Sequence, residues 1–227
     1  MDRMKNSGVV LAFGAMMLLG LTSCQNRFPT VVVYDDPTRF VRLEVDRTVG
    51  GDHSHPAYMT TDEMTAVLSG IVIDEPRRFI PSLPFTSKNE EPARHPAFNA
   101  AEINFFAPLL AKGLGTATPE EIVTFYQATQ QTAIIKNVIS GGVFIDGDEL
   151  HLILGNYRSE TNYASDPGIG ATADGRSTPL QPIAPQETKL DFEPTTAVVP
   201  SQKGFWSRLL RPERREIVVL FKKLTEQ

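Results

Sequence analysis

Cysteine is nearly missing from this chain: one residue among 227, at position 24. A lone cysteine excludes an intrachain disulfide and a multi-thiolate metal site, so the folded part must hold by burial of apolar surface. Long apolar runs are missing too. The charge-free stretch from Gly8 to Leu21 has 14 residues, short of the roughly 20 that span a bilayer as a helix. Positive charge is in short supply, with 22 Lys and Arg against 27 Asp and Glu and a formal net charge of −5. That balance argues against a nucleic-acid partner, which needs a basic face. Catalytic signatures are sparse. The chain has no Gly-x-Ser-x-Gly and no His-Glu-x-x-His. Gly168-Ile169-Gly170 lacks the preceding strand of a dinucleotide fingerprint, and Asp146-x-Asp148 is only a fragment of a calcium loop.

What is present begins at the N-terminus. Met1-Asp2-Arg3-Met4-Lys5 carries a small positive excess, the apolar run follows, and small residues precede Cys24. This is the layout of a secretory signal peptide over residues 1–23. Leu21-Thr22-Ser23-Cys24 resembles the lipobox of bacterial lipoproteins. The resemblance covers only these first two dozen residues. It implies cleavage before Cys24, a diacylglycerol on its sulfur and acylation of the freed amine, with no other cofactor. Several acyl chains make such an anchor firm, because each buried methylene contributes about 0.8 kcal/mol. Gln25 stands where an aspartate would imply inner-membrane retention, so the resemblance points to the outer membrane, facing the periplasm. The mature chain would hold 204 residues (227 less 23) and, having lost Asp2, Arg3 and Lys5, a net charge of −6.

Residues 24–29 form a short tether, at most about 20 Å when extended, which keeps the next residues close to the bilayer. Thr30–Tyr34 is valine-rich and reads as a strand. In Arg39–Asp46, Val41, Leu43 and Val45 alternate with Arg42, Glu44 and Asp46, which predicts one buried and one wet face. Thr60 and Glu63 form a capping box that opens a helix through Met64, Val67, Leu68 and Ile71, and Ile71-Val72-Ile73 then suits a short strand. A proline-rich connection runs from Arg77 to Pro96. Asn99 and Glu102 cap a second helix to Leu114, which Pro108 should kink. A turn at Thr118–Glu121 leads to a strand at 122–126, and Ile134–Val138 is another. Val143–Leu154 is a hairpin around Asp146-Gly147, a pair suited to positive φ at both turn positions. Ser159–Gln202 holds six prolines and few large apolar side chains. It is expected as a flexible excursion, with a short strand at Thr188–Phe192. Glu216–Phe221, apolar on both sides, fits an interior strand.

These elements predict an α+β domain over residues 30–158, with a mainly antiparallel sheet and two or three helices. The flexible insertion 159–202 follows it, and residues 203–227 return to the domain.

Three groups of residues bear on function besides Cys24. Asp52-His53-Ser54-His55 places two imidazoles two residues apart on an extended segment, and His95 or His151 would complete a zinc site. A Gly-rich loop also explains polar residues there without a metal. His55-Pro56-Ala57-Tyr58 and His95-Pro96-Ala97-Phe98 each precede a helix. This is either a helix-start device, with the aromatic folded back as a staple, or a duplication that joins the two histidines. Finally, Phe205, Trp206, Leu209 and Leu210 share one side of a short basic segment with Arg208 and Arg211. That segment either lies on an anionic bilayer or covers the sheet. The expectation is a lipid-anchored envelope protein, a non-catalytic binding or assembly component with the bilayer and an envelope protein as partners. The alternative is a metal-dependent envelope enzyme or metal-binding protein.

Overall fold

The computed structural model describes residues 30–75, 94–132, 135–162, 175–186, 188–200 and 215–224. The signal peptide, Cys24, the tether, most of the proline-rich connection and the basic aromatic segment lie outside the described residues.

The element order is β1 (Val31–Asp35), β2 (Arg39–Glu44), α1 (Thr61–Gly70), β3 (Ile71–Asp74), β4 (Arg94–Pro96), α2 (Ala100–Leu114), β5 (Ile122–Gln130), β6 (Ile135–Asp146), β7 (Glu149–Asn162), β8 (Lys189–Phe192) and β9 (Glu216–Val219). Short 3-10 turns follow β8 and β9. Two antiparallel sheets hold the nine strands. One runs β1-β2-β5-β6-β7-β9, the other β4-β3-β8. With two α-helices, the described residues form an α+β fold made mostly of antiparallel sheet.

Both helices begin where the sequence places them. Thr60 and Asn99 cap them, each in a complete capping box with Glu63 and Glu102. Helix α2 continues to Leu114 with Pro108 inside it. The two His-Pro-Ala-aromatic stretches are not equivalent. Phe98 directly precedes its cap and is buried, whereas Tyr58 stands one residue further from Thr60 and is 88% exposed. Met59 takes the position next to the cap and is buried instead. The one-residue difference in spacing decides which side chain enters the core, and the aromatic staple holds only for the second helix.

The helices cover the front face of the large sheet. Val41, Leu43, Val123, Phe125, Val143, Leu152 and Val219 meet Met64, Leu68, Phe106 and Leu110 in one apolar cluster. Full burial of such side chains stabilises by about 1.5–3 kcal/mol each.

The back face is not the wet one that the alternation in β2 predicts. Phe40 stacks on Tyr126 at 5.4 Å with an 8° interplanar angle, and Arg42 lies 3.9 Å over Phe40. Residues 175–186, expected as part of a flexible excursion, fold across this face as a strap. Ser140 donates to the Pro179 carbonyl at 2.7 Å. The Asn156 amide donates to the Gln181 carbonyl and accepts from the Ile183 N–H, both at 2.8 Å. Leu180 joins Ile122, Phe144 and Ile153 in a small cluster. Gly155 permits this approach, because a Cβ there would stand 2.4 Å from the Pro179 carbonyl oxygen. The strap therefore docks through backbone groups read by Ser140 and Asn156, a mode that composition does not reveal. Strand β7 also runs on to Asn162, past the expected start of the excursion at Ser159.

Two further expectations change. The β6–β7 turn has Gly147 and Asp148 at its centre, since Asp146 pairs with Glu149. Only Gly147, at φ +61°, is positive, the pattern of a II′ turn and not of the doubly positive I′ turn. Strand β9 is an edge strand, not an interior one. Its outer side is shielded by residues 197–199, through Val199 N–H to the Val218 carbonyl at 2.9 Å and Leu220 N–H to the Ala197 carbonyl at 2.8 Å. That cover explains apolar residues on both sides.

Candidate functional site: a polar cleft at the start of helix α2

A cleft of about 430 Å³ lies between the start of α2, the start of β2, the end of β5 and Arg158 of β7. Its floor is built on Glu102. As the third residue of α2, Glu102 completes the capping box by accepting the Asn99 N–H at 2.9 Å. The same carboxylate accepts two bonds from Arg158, at 2.7 and 2.8 Å, and one from the Gln127 amide at 3.2 Å. Glu102 is only 3% exposed, and its charge is matched by four N–H donors, two of them from a guanidinium held in the bidentate geometry that suits a carboxylate.

A β-bulge aims Arg158. The β6–β7 register shifts between Val138↔Ser159 and Ser140↔Asn156, and within that shift Arg158 has φ +47°. A left-handed conformation is uncommon for a residue with a Cβ, and bulges redirect side chains in this way. Burial pulls the Arg158 guanidinium down, and the hydrogen bond and charge of Glu102 more than reverse this. Arg39 forms another wall, 4.0 Å over the Phe105 ring and 3.4 Å from Asp36. Thr129 and Gln130 line the rim. The cleft presents amides, hydroxyls and two arginines paired with Glu102 and Asp36, and its one buried carboxylate is fully engaged. Such a lining offers hydrogen-bonding groups to a polar molecule.

The cleft opens at the opposite end of β2 from the pairing partner of Val31. Val31 pairs with Leu43 and Asp35 with Phe40, so the chain enters the sheet beside Leu43, while the cleft lies by Arg39. Four strand residues separate them, about 13 Å. At the tether end Val31 and Val32 are about half exposed.

The four histidines do not converge. His55 is buried, its Nδ1 bonded to the Glu121 carbonyl at 2.9 Å and its Nε2 accepting the Ile145 N–H at 3.1 Å. This fixes a neutral tautomer that pins the 50–57 loop to β5 and β6. His53 lies 5.7 Å from it, ring to ring. Phe144 separates His53 from His151, with ring centroids 4.4 and 4.5 Å away. His151, opposite Phe144 in the β6–β7 register, bonds Glu216 at 2.8 Å. Burial pushes both His53 and His55 below the ordinary imidazole range, opposed chiefly by Asp146 at His53 and by the Glu121 carbonyl at His55. His95 sits in β4, in contact with Tyr157 and Glu75. Among the described residues no group of three or more His, Cys, Asp or Glu is placed to hold a metal ion. Cys24 and the candidates Phe205, Trp206, Arg208, Leu209, Leu210 and Arg211 lie outside the described residues.

Sequence reasoning missed Arg158, Gln127 and Arg39, and saw Glu102 only as a cap. No local signal marks Arg158, because its role depends on a bulge defined by the partner strand. No described helix is long and apolar enough to cross a membrane. Comparison of the chain with protein-family models, with curated proteins and with solved structures gives no match.

Proposed function

We propose that the protein is a bacterial envelope lipoprotein, anchored through a diacylglycerol on Cys24 in the outer membrane and facing the periplasm, which serves as a non-catalytic binding or assembly component. The observation that carries the anchoring is the sole cysteine at the lipobox position. The binding role draws support from the cleft: a preformed polar concavity of about 430 Å³ whose buried acid is committed to structure. The separation between the cleft and Val31, at the start of β1, supports a domain that holds one end near the bilayer and offers the other to a periplasmic partner.

A photo-crosslinking residue at Gln130 in the anchored protein, in living cells, tests the binding role. The reading expects a discrete adduct that the double variant Arg39→Ala/Thr129→Ala loses. An adduct pattern unchanged by that variant, or no adduct, contradicts it.

A further inference from the structure

The strap leaves a second, smaller space on the back of the sheet, about 100 Å³, with Leu180, Pro182 and Gln186 on the strap side and Ile153, Gly155 and Arg215 on the sheet side. Arg215 is its one charged wall, and every acceptor it meets is neutral. Nη1 donates to the Thr188 hydroxyl at 2.8 Å. Nη2 donates to Gln186 Oε1 at 2.8 Å and to the Gly155 carbonyl at 3.2 Å. A guanidinium carries five N–H bonds, so two remain, and no carboxylate pairs with it among the described residues. Burial alone pulls its pKa down to about 10. A desolvated cation without a counter-ion is costly to hold, and the three neutral bonds fix the guanidinium plane at the cavity wall. Ile153, Leu180 and Pro182 make the remaining surface apolar.

We propose that this space is a binding site for a small carboxylate with a short aliphatic tail, the carboxylate pairing with Arg215 and the tail lying against Ile153, Leu180 and Pro182. The site is separate from the cleft at Glu102, shares no residue with it, and stands whether or not the chain is lipidated. The carboxylate supplies a counter-charge that Arg215 does not find among the described residues, and the apolar walls select against a bare inorganic anion. A ligand of about five heavy atoms binds in the millimolar range.

The test titrates sodium propionate into the anchored full chain in detergent, at ionic strength held constant with sodium chloride, and follows both the melting temperature and the arginine Nε–Hε resonances. Propionamide and inorganic phosphate are the control ligands. The expected result is a saturable rise in melting temperature with propionate, a shift of the Arg215 Nε–Hε resonance with the same midpoint, and no saturable response to propionamide. In Arg215→Gln the propionate response disappears. A response of equal size to propionamide, a response retained in a folded Arg215→Gln, or no saturable response to propionate at tens of millimolar overturns the proposal. Saturable binding of phosphate in preference to propionate overturns the assignment of ligand class. The propionamide control is made on the unaltered protein, so the test holds even if the variant fails to fold.

Discussion

Arg158 and Arg215 are both half-buried arginines of the large sheet, and their surroundings differ in one respect. Arg158 meets the fully buried carboxylate of Glu102 in two bonds. Arg215 meets a hydroxyl, an amide oxygen and a backbone carbonyl. Burial acts in the same direction on both, yet the first guanidinium is held more firmly charged than usual and the second less. The difference separates a cation built into the scaffold from one whose electrostatic need is unmet. Glu102 caps a helix, ties β5 and β7 to it and neutralises Arg158, so it belongs to the floor of the cleft. Arg215 has no such partner among the described residues, and a ligand can fill the gap.

The largest expected effect breaks the first of the two. Glu102→Ala removes a helix cap and leaves Arg158 partly buried without its counter-charge, which should cost about 2–4 kcal/mol of unfolding free energy in urea titration. The double variant Glu102→Leu/Arg158→Met should recover more than half of that loss, because removing both charges removes the desolvation problem. A smaller effect tests the strap that walls the second site. Gly155→Ala places a Cβ 2.4 Å from the Pro179 carbonyl oxygen and should lower stability by about 1–3 kcal/mol, with faster amide exchange at Ile183. At the low end, Arg215→Gln should change stability by less than about 1 kcal/mol in either direction, since it deletes an uncompensated cation along with its three bonds. A loss as large as that of Glu102→Ala would erase the contrast.

The two buried histidines of the 50–57 loop give the stability a pH dependence. Imidazoles in an unfolded chain titrate near pH 6.5, and burial lowers His53 and His55 below that. The unfolded state therefore takes up protons first as pH falls, and stability falls with it. Unfolding free energy should be full above about pH 7 and decline toward pH 5. His55→Gln, which keeps a hydrogen-bonding side chain without that titration, should flatten the decline.

Legibility in the sequence followed the range of the interactions. Capping boxes act over three residues, so Thr60–Glu63 and Asn99–Glu102 marked both helix starts. Alternation in β2 identified the core side of Val41 and Leu43. It could not reveal that Phe40 and Arg42 are covered too, because their cover arrives from residues 175–186. Prolines and small polar residues made that segment read as flexible. Its docking rests on backbone groups bonded to Ser140 and Asn156, and such bonds leave little compositional trace. One end of the sheet order followed the same rule: β9 looked interior because the chain at 197–199 shields its edge. Glu102 was legible as a cap and illegible as the anchor of Arg158, since that contact spans 56 residues. The paired histidines at 53 and 55 suggested a metal site by spacing. Phe144 stands between His53 and His151, His55 is held by two backbone partners, and among the described residues the histidines are not gathered into one metal-holding group.

The lipid anchor is tested directly by intact-mass and fragment analysis of the N-terminal peptide of protein isolated from cell membranes. The expected N-terminus is Cys24, with a diacylglyceryl group on its sulfur and an acyl chain on its amine. An unmodified Cys24 thiol, or a chain that still carries residues 1–23, would contradict it.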